Sequence, residues 1–288
     1  MTDFDADRAT TPGAHTTRAS TPGASKEKTD AGVTIRNLTL ELHGRRLLDN
    51  VNLDIAGGTI TGLAGESGSG KTLSGMTMLG LQPKGSEVSG EILYAGVNLL
   101  EQSEGQMNRY RGTEISVIFQ DPTASMHPMI SIGEQLTDHL RYHLKLSKKQ
   151  ALARAIELLG MVKVPDPHLA VTKYPHQFSG GQLQRIAIAG AIACDPKILI
   201  ADEPTTALDV TVQAGIMHLL RDLCDTLGLT ILLITHDLGV MSGLADSIAV
   251  MRNGRVIEVG SRFEIIRNPR EDYTRSLIES LPNRQARA

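Results

Sequence analysis

Eight consecutive residues, Gly65-Glu66-Ser67-Gly68-Ser69-Gly70-Lys71-Thr72, have the types and spacing of a phosphate-binding loop. The glycines let several backbone N–H groups converge on phosphate oxygens. A lysine at Lys71 reaches β- and γ-phosphates, and the Thr72 hydroxyl is a hard oxygen donor for Mg²⁺. A short apolar stretch, Ile60 to Ala64, precedes the loop and a helical pattern follows it, so the positive end of a helix would face the anion. On its own, this loop says only that a nucleoside triphosphate is handled.

Two further groups add chemistry. Asp202-Glu203 closes the apolar run Lys197 to Ala201. In open α/β sheets, ligands sit beyond the carboxyl ends of parallel strands, so Asp202 is placed to hold Mg²⁺ and Glu203 to orient and polarise an attacking water. Ser179-Gly180-Gly181-Gln182 is a glycine-rich turn opening a helix of small and apolar residues, Leu183 to Ala193. That makes a second anion site at a helix N-terminus. Two phosphate cradles on separate parts of one chain suit a head-to-tail pair of chains, with this turn facing the partner's γ-phosphate.

The elements that position these groups are legible as patterns. Leu38, Leu40 and Leu42 alternate with other residues, as do Val51, Leu53 and Ile55, which predicts antiparallel strands turning around Gly44. Glu114 to Phe119 reads as a strand. Ser131 with Glu134 and Ser147 with Gln150 have capping-box spacing, predicting two helices, the second ending at Gly160. Lys197 to Ala201 and Thr230 to Thr235 read as parallel strands buried on both faces. Val212, Ile216, Leu219, Leu220, Leu223 and Leu227 form a helical stripe between them. Asn253-Gly254 predicts a hairpin turn. The expected architecture is α/β: a parallel central sheet, an antiparallel β layer and an inserted helical subdomain. No internal repeat is evident, so one nucleotide-binding unit is expected.

Composition excludes several classes. The 288 residues are 41% hydrophobic and 21% charged with net charge −3, which gives no reason to expect nucleic acid as a partner. The two cysteines, Cys194 and Cys224, have no Cys or His near them at metal-ligand spacing in the sequence, and a reducing setting is expected. No apolar run approaches the roughly 18 residues of a membrane span, and the N-terminus has no secretory apolar region. If the protein serves a membrane, another chain must cross it. Residues 1–30, rich in Thr, Ala, Gly and Pro, are expected to be a disordered tail.

Taken in order, GESGSGKT, Gln120, SGGQ, ILIADE, Ala207-Leu208-Asp209 and His236 resemble the motif set of the ABC transporter ATPases, over about residues 33–280. The resemblance implies the RecA-like P-loop core and ABC ATPase fold, with ATP and Mg²⁺ as ligands. It implies an ATPase domain at 31–268, a helical subdomain at about 121–190 and a C-terminal tail at 269–288. Gln120 is similar to the glutamine that senses Mg²⁺ and the attacking water. Ser179, Gly180, Gly181 and Gln182 resemble the signature that contacts the partner's ATP. Asp209 resembles an interface aspartate, and His236 the switch histidine that holds the γ-phosphate. Two positions depart from the pattern. His43 stands before Gly44 where an adenine-stacking aromatic is usual, and Phe178 precedes the signature where leucine is commoner.

Phe119-Gln120-Asp121-Pro122-Thr123-Ala124-Ser125 with Ile132-Gly133-Glu134-Gln135-Leu136, and Asn268 to Leu277, resemble the subgroup importing oligopeptides, dipeptides and nickel. This implies a peripheral subunit at the cytoplasmic face of the membrane. Its partners would be a second ATPase subunit, identical or paralogous, two transmembrane permease subunits and, indirectly, an extracytoplasmic binding protein. Peptide import is the leading expectation and a nickel or metal-chelate importer the alternative. An exporter and a non-transport ABC ATPase are less favoured. No cysteine lies in the C-terminal stretch, so no iron–sulfur cluster is expected there. His139 and His143, four residues apart on a predicted helix, are read as surface histidines of an amphipathic helix.

Overall fold

Apolar runs of two kinds build two kinds of sheet. The computed structural model describes residues 32–206 and 208–280. The expected N-terminal tail, Ala207 and residues 281–288 therefore lie outside the described residues. The chain opens with β1 (Val33–Leu42), β2 (Arg45–Ile55) and β3 (Ile60–Ala64), followed by α1 (Lys71–Met78), β4 (Ser86–Tyr94), β5 (Val97–Asn98), α2 (Glu104–Met107) and β6 (Ile115–Ile118). A helical stretch follows: α3 (Ile132–Leu144), α4 (Lys148–Met161), α5 (Pro167–Ala170) and α6 (Gly180–Ala191). Strand and helix then alternate as β7 (Ile198–Asp202), α7 (Val210–Leu227), β8 (Thr230–Ile234), α8 (Leu238–Leu244) and β9 (Ser247–Arg252). The last elements are β10 (Arg255–Ser261), α9 (Arg262–Arg267) and α10 (Asp272–Glu279).

The larger sheet has the order β10-β9-β3-β8-β7-β6. Strands β9, β3, β8, β7 and β6 are parallel, and β10 folds back antiparallel through the Asn253-Gly254 turn. Every residue of β3, β7 and β8 is buried, as continuous apolar strands covered on both faces must be. The smaller sheet, β2-β1-β4-β5, is antiparallel. In β1 the buried residues are Val33, Ile35, Leu38 and Leu40, so the alternation changes phase. A register shift between Ile35 and Leu38, with Asn37 at φ 50°, absorbs the extra residue and keeps all four on the core side.

Two cores result. One lies between the sheets and encloses α1, with Ile35, Leu40 and Ile92 facing Ile200, Ile234 and Met78. The other covers the opposite face of the parallel sheet and joins it to the helical stretch, through Leu136, Leu158, Ile188, Leu220 and Leu233. Each fully buried aliphatic side chain contributes about 1.5–3 kcal/mol.

The helix α4 passes Gly160 and runs to Met161. The left-handed position that stops it belongs to Lys163, at φ 61°, and Val164 N–H donates to the Leu159 carbonyl. The segment 269–280 is partly helical: α10 buries Tyr273 and Ile278 in the core.

Candidate active site: a phosphate loop beside two acids

Strand order brings the chemistry together. Strand β3 lies between β9 and β8, and β8 pairs with β7, so the carboxyl ends of β3, β8 and β7 stand side by side. From these ends leave the glycine loop, His236 and Asp202-Glu203. The Glu203 N–H donates to the Ile234 carbonyl at 2.8 Å, tying the end of β7 to the end of β8. Asp237 accepts from the Gly239 and Val240 N–H groups, so α8 starts there and His236 is held just before it.

Close packing fixes the loop. Gly65 has φ 149°, and a Cβ there would lie 2.1 Å from the Met251 carbonyl, so only glycine fits. The Gly254 N–H of the β9–β10 turn donates to the Ser69 carbonyl, and Glu66 N–H donates to the Tyr273 phenol oxygen. Ser67 and Gly68 lie at the exposed tip, and Gly70 occupies the N-cap of α1 with φ 106°. Lys71 is buried, and its Nζ donates to the Gly65 and Glu66 carbonyls at 2.8 Å each. Burial pushes its ammonium pKa down, against the charges of Glu203, Asp202 and Glu66.

The acids are adjacent and differ. Asp202 is buried, and its Oδ1 accepts from the Thr72 hydroxyl at 2.9 Å. Burial pushes its carboxyl pKa up, the Thr72 hydrogen bond opposes this, and the Glu203 charge adds to it. Thr72 and Asp202 thus offer two close oxygen donors, a set whose chemistry fits Mg²⁺. Glu203 sits at φ 44° with its side chain at the centre of a network. Gln120 Nε2 donates to its Oε2 at 3.2 Å, the Thr206 hydroxyl donates to the same oxygen at 2.9 Å, and His236 Nδ1 lies 3.1 Å from Oε1. Burial opposes ionisation of Glu203, but the bonds from His236 and Thr206 outweigh it and hold its carboxyl below the usual range. A carboxylate ionised at neutral pH, beside a lysine and a histidine, can orient a water for attack on phosphorus.

The second cradle lies elsewhere. Ser179 and Gln182 form a capping box at the start of α6, with Ser179 N–H donating to Gln182 Oε1 and Gln182 N–H to the Ser179 hydroxyl. A Cβ on Gly181 would lie 2.5 Å from Val212 Cγ1, so the turn packs against the start of α7. Asp209 caps α7 by accepting from Val212 N–H, and Ser179, Gly180, Asp209 and Val210 are all exposed. Among the described residues, no hydrogen bond or ion pair joins Ser179 to Gln182, or Asp209, to the glycine loop.

The profile of the ABC transporter family matches residues 48–206, more than half of the chain. A probable peptide ABC transporter ATP-binding protein of Sinorhizobium fredii is 42% identical over 267 residues, covering 91% of this chain and 80% of that protein. The chain belongs to the ABC transporter family as an ATP-binding subunit. A dipeptide transport ATP-binding protein of Lactococcus lactis is 45% identical, over 86% of this chain and 73% of that protein. Among solved structures, the dimeric post-hydrolysis ATP-binding cassette MJ0796 bound to ADP and Pi superposes with TM-score 0.70 at 29% identity, over 80% of this chain and 98% of that one. The cbiO1 subunit from Clostridium perfringens, part of an ABC transporter complex, gives TM-score 0.74 at 28% identity, over 89% of this chain and 98% of that one. The expected ABC ATPase fold and ATP-hydrolysing activity stand on this membership.

Three features of this ABC ATPase were not apparent in its sequence. Thr206 joins the Glu203 network; a hydroxyl three residues after the acid was the available signal. Tyr273 and Gly254 reach the loop only through tertiary folding. A cleft of about 250 Å³ also opens between β6, α3 and α6, lined by Phe119, Met126, Leu136, His139, His143 and Cys194. His139 is exposed, while His143 is half-buried, with its pKa lowered by burial and then by His139 and Lys145. Cys194 is buried there and burial pushes its thiol up. No group of three metal-ligating side chains occurs among the described residues. His43 lies exposed at the β1–β2 turn.

Proposed function

We propose that this subunit hydrolyses ATP at a site completed by a second ATPase subunit, and that the cycle drives uptake of peptides. The separation within one chain carries this reading. The loop, Asp202, Glu203, Gln120 and His236 converge, whereas the Ser179–Gln182 turn and Asp209 form another exposed patch. Both patches are built for anions or for contact, and neither completes the other within the chain. The peptide cargo rests on the relatives, which are named for peptide, dipeptide and oligopeptide transport. That pattern favours peptide over nickel.

In this mechanism the N–H groups from Ser67 to Thr72 receive the phosphates at the N-terminus of α1. Lys71 leaves the Gly65 and Glu66 carbonyls and turns to the β- and γ-phosphates. Thr72 and Asp202 would hold Mg²⁺, with Gln120 at its edge. When bound, that ion supplies positive charge against the developing charge on the phosphate oxygens. Glu203 orients the attacking water. The water oxygen bonds to the γ-phosphorus as the bond from that phosphorus to the bridging oxygen breaks; the bridging oxygen leaves on ADP, and the proton the water gives up passes to Glu203. His236 holds the γ-phosphate. The partner's signature turn closes the far side, and each ATP then contacts both chains, so nucleotide binding favours the closed pair.

Gln120 follows Phe119, which lines the cleft beside α3 and α6. A helix of a permease subunit docked there would touch the loop that carries Gln120, linking closure to the pore. Among the described residues no helix is long and apolar enough to cross a membrane. In this reading the subunit works at the cytoplasmic face, bound to two permease subunits and served by an external binding protein. Vesicles holding the assembled transporter and its binding protein should accumulate a labelled dipeptide only with ATP. Nickel uptake without dipeptide uptake would overturn the cargo, and outward movement would overturn the direction.

A further inference from the structure

The structure assigns a positioning role at the nucleotide site to Tyr273, on the C-terminal helix α10. This rests on the reading of Gly65 to Thr72 as the ATP-binding loop. Glu66 N–H donates to the Tyr273 phenol oxygen at 3.1 Å, across 207 residues of sequence. Gly65 O and Glu66 N–H belong to one peptide group, and in a planar trans peptide they point in opposite directions. Lys71 Nζ holds the oxygen end at 2.8 Å, and Tyr273 holds the nitrogen end. The peptide is thus gripped from both sides.

The two grips differ in permanence. Lys71 must release the Gly65 carbonyl to reach phosphate. Once it has, Tyr273 is the side chain that keeps this peptide from turning. Restraint is needed there, because Gly65 at φ 149° has no side chain to limit its rotation. A turned peptide would redirect the N–H groups that follow it in the cradle.

Tyr273 is itself held firmly. It is only 8% exposed, and the Arg252 guanidinium lies 4.5 Å from its ring centroid. The lead-in to α10 is clamped to β10, where Glu258 accepts from Arg270 N–H at 2.7 Å and Glu271 N–H at 3.2 Å. Arg275 braces the same turn by donating to the Arg270 and Pro269 carbonyls. A rigid path therefore runs from the edge of the sheet through α10 to the phosphate loop. Among the described residues, α10 acts on the nucleotide site through this hydroxyl.

The test compares Tyr273→Phe with Ile278→Val, a packing change on the same helix, in the full-length chain. Lys71→Ala serves as the control. Nucleotide affinity is read by titration with ATP, stability by thermal unfolding, and the Glu66 amide by hydrogen exchange. Tyr273→Phe keeps the ring and loses the hydroxyl. It should weaken ATP binding roughly three- to tenfold, the scale of one neutral hydrogen bond, and speed exchange at Glu66. Ile278→Val should lower Tm and leave both nucleotide readouts unchanged. Unchanged affinity or unchanged exchange in Tyr273→Phe would overturn the assignment, and so would an equal loss of affinity in Ile278→Val. Unchanged affinity in Lys71→Ala would instead remove the reading of the loop itself.

Discussion

Glu203 Oε1 and His236 Nδ1 lie 3.1 Å apart although 33 residues separate them. The contact exists because β7 and β8 are parallel neighbours that end together, and the Glu203 N–H to Ile234 carbonyl bond fixes their offset. His236 is largely exposed, with 61% of its side chain accessible, whereas Glu203 has 16%. The acid is thus held inside the site, and the histidine stands at its mouth, where a γ-phosphate or a partner chain would meet it.

Glu203→Gln keeps the size and the hydrogen-bonding oxygen of this side chain and removes its charge. ATP affinity should stay within about twofold of wild type, while phosphate release in the assembled transporter falls roughly 10²- to 10⁴-fold, the usual scale for losing a positioned base. Nucleotide should then remain trapped in the closed pair, which filter retention of labelled ATP measures. Near-normal turnover would remove Glu203 from this role.

Gly65→Ala should weaken nucleotide binding although it removes no group that binds nucleotide. Its Cβ would fall 2.1 Å from the Met251 carbonyl, at a φ that L-residues rarely adopt. The loop must shift off β9 to accommodate it. Titration with ATP should show at least a tenfold weaker Kd, on the order of 1.4 kcal/mol or more. Gly85, also at positive φ but with open space around its Cβ position, is the comparison. Gly85→Ala should leave nucleotide affinity unchanged.

Glu258 makes stability depend on acid pH. Burial opposes its ionisation, but the Arg270 and Glu271 backbone N–H groups outweigh it and hold its carboxyl below the ordinary value of 4.5. A group whose pKa is depressed by folding stabilises the native state above its unfolded pKa, and that contribution is lost as pH falls through the folded value. Glu258→Gln keeps an acceptor and removes the charge. The Tm difference between wild type and variant should therefore be full above about pH 5 and close as pH falls below 4.5. A gap that is constant with pH would show that the charge plays no part.

Local chemistry in the sequence was enough to place the phosphate loop, the acid pair at the end of β7 and the alternation of strand and helix. Each is a short pattern whose meaning depends on its immediate neighbours. Motif order assigned Glu203 and His236 to the site separately, and their contact is explained by β7 and β8 ending side by side. Contacts that depend on tertiary packing were hidden. Nothing near Glu66 or Ser69 points to Tyr273 or Gly254, because both return to the loop only after β9, β10 and α10 are in place. Cys194 and His139 likewise share a cleft because α6 packs on α3, although 55 residues separate them. At Gly160 a local rule misled. The helix continued to Met161 because Lys163 could take the left-handed position and Leu159 could receive the bond from Val164.

The composite site is tested most directly by the ATP affinity of the isolated Ser179→Arg subunit, set beside the ATPase rate of the transporter assembled with it. Ser179 is exposed and remote in hydrogen bonding from the loop of its own chain. The isolated variant should bind ATP as tightly as wild type while the assembled transporter loses at least tenfold in hydrolysis. A loss of affinity in the isolated chain comparable to that of Lys71→Ala would contradict the composite site, because the signature turn would then serve the site of its own chain.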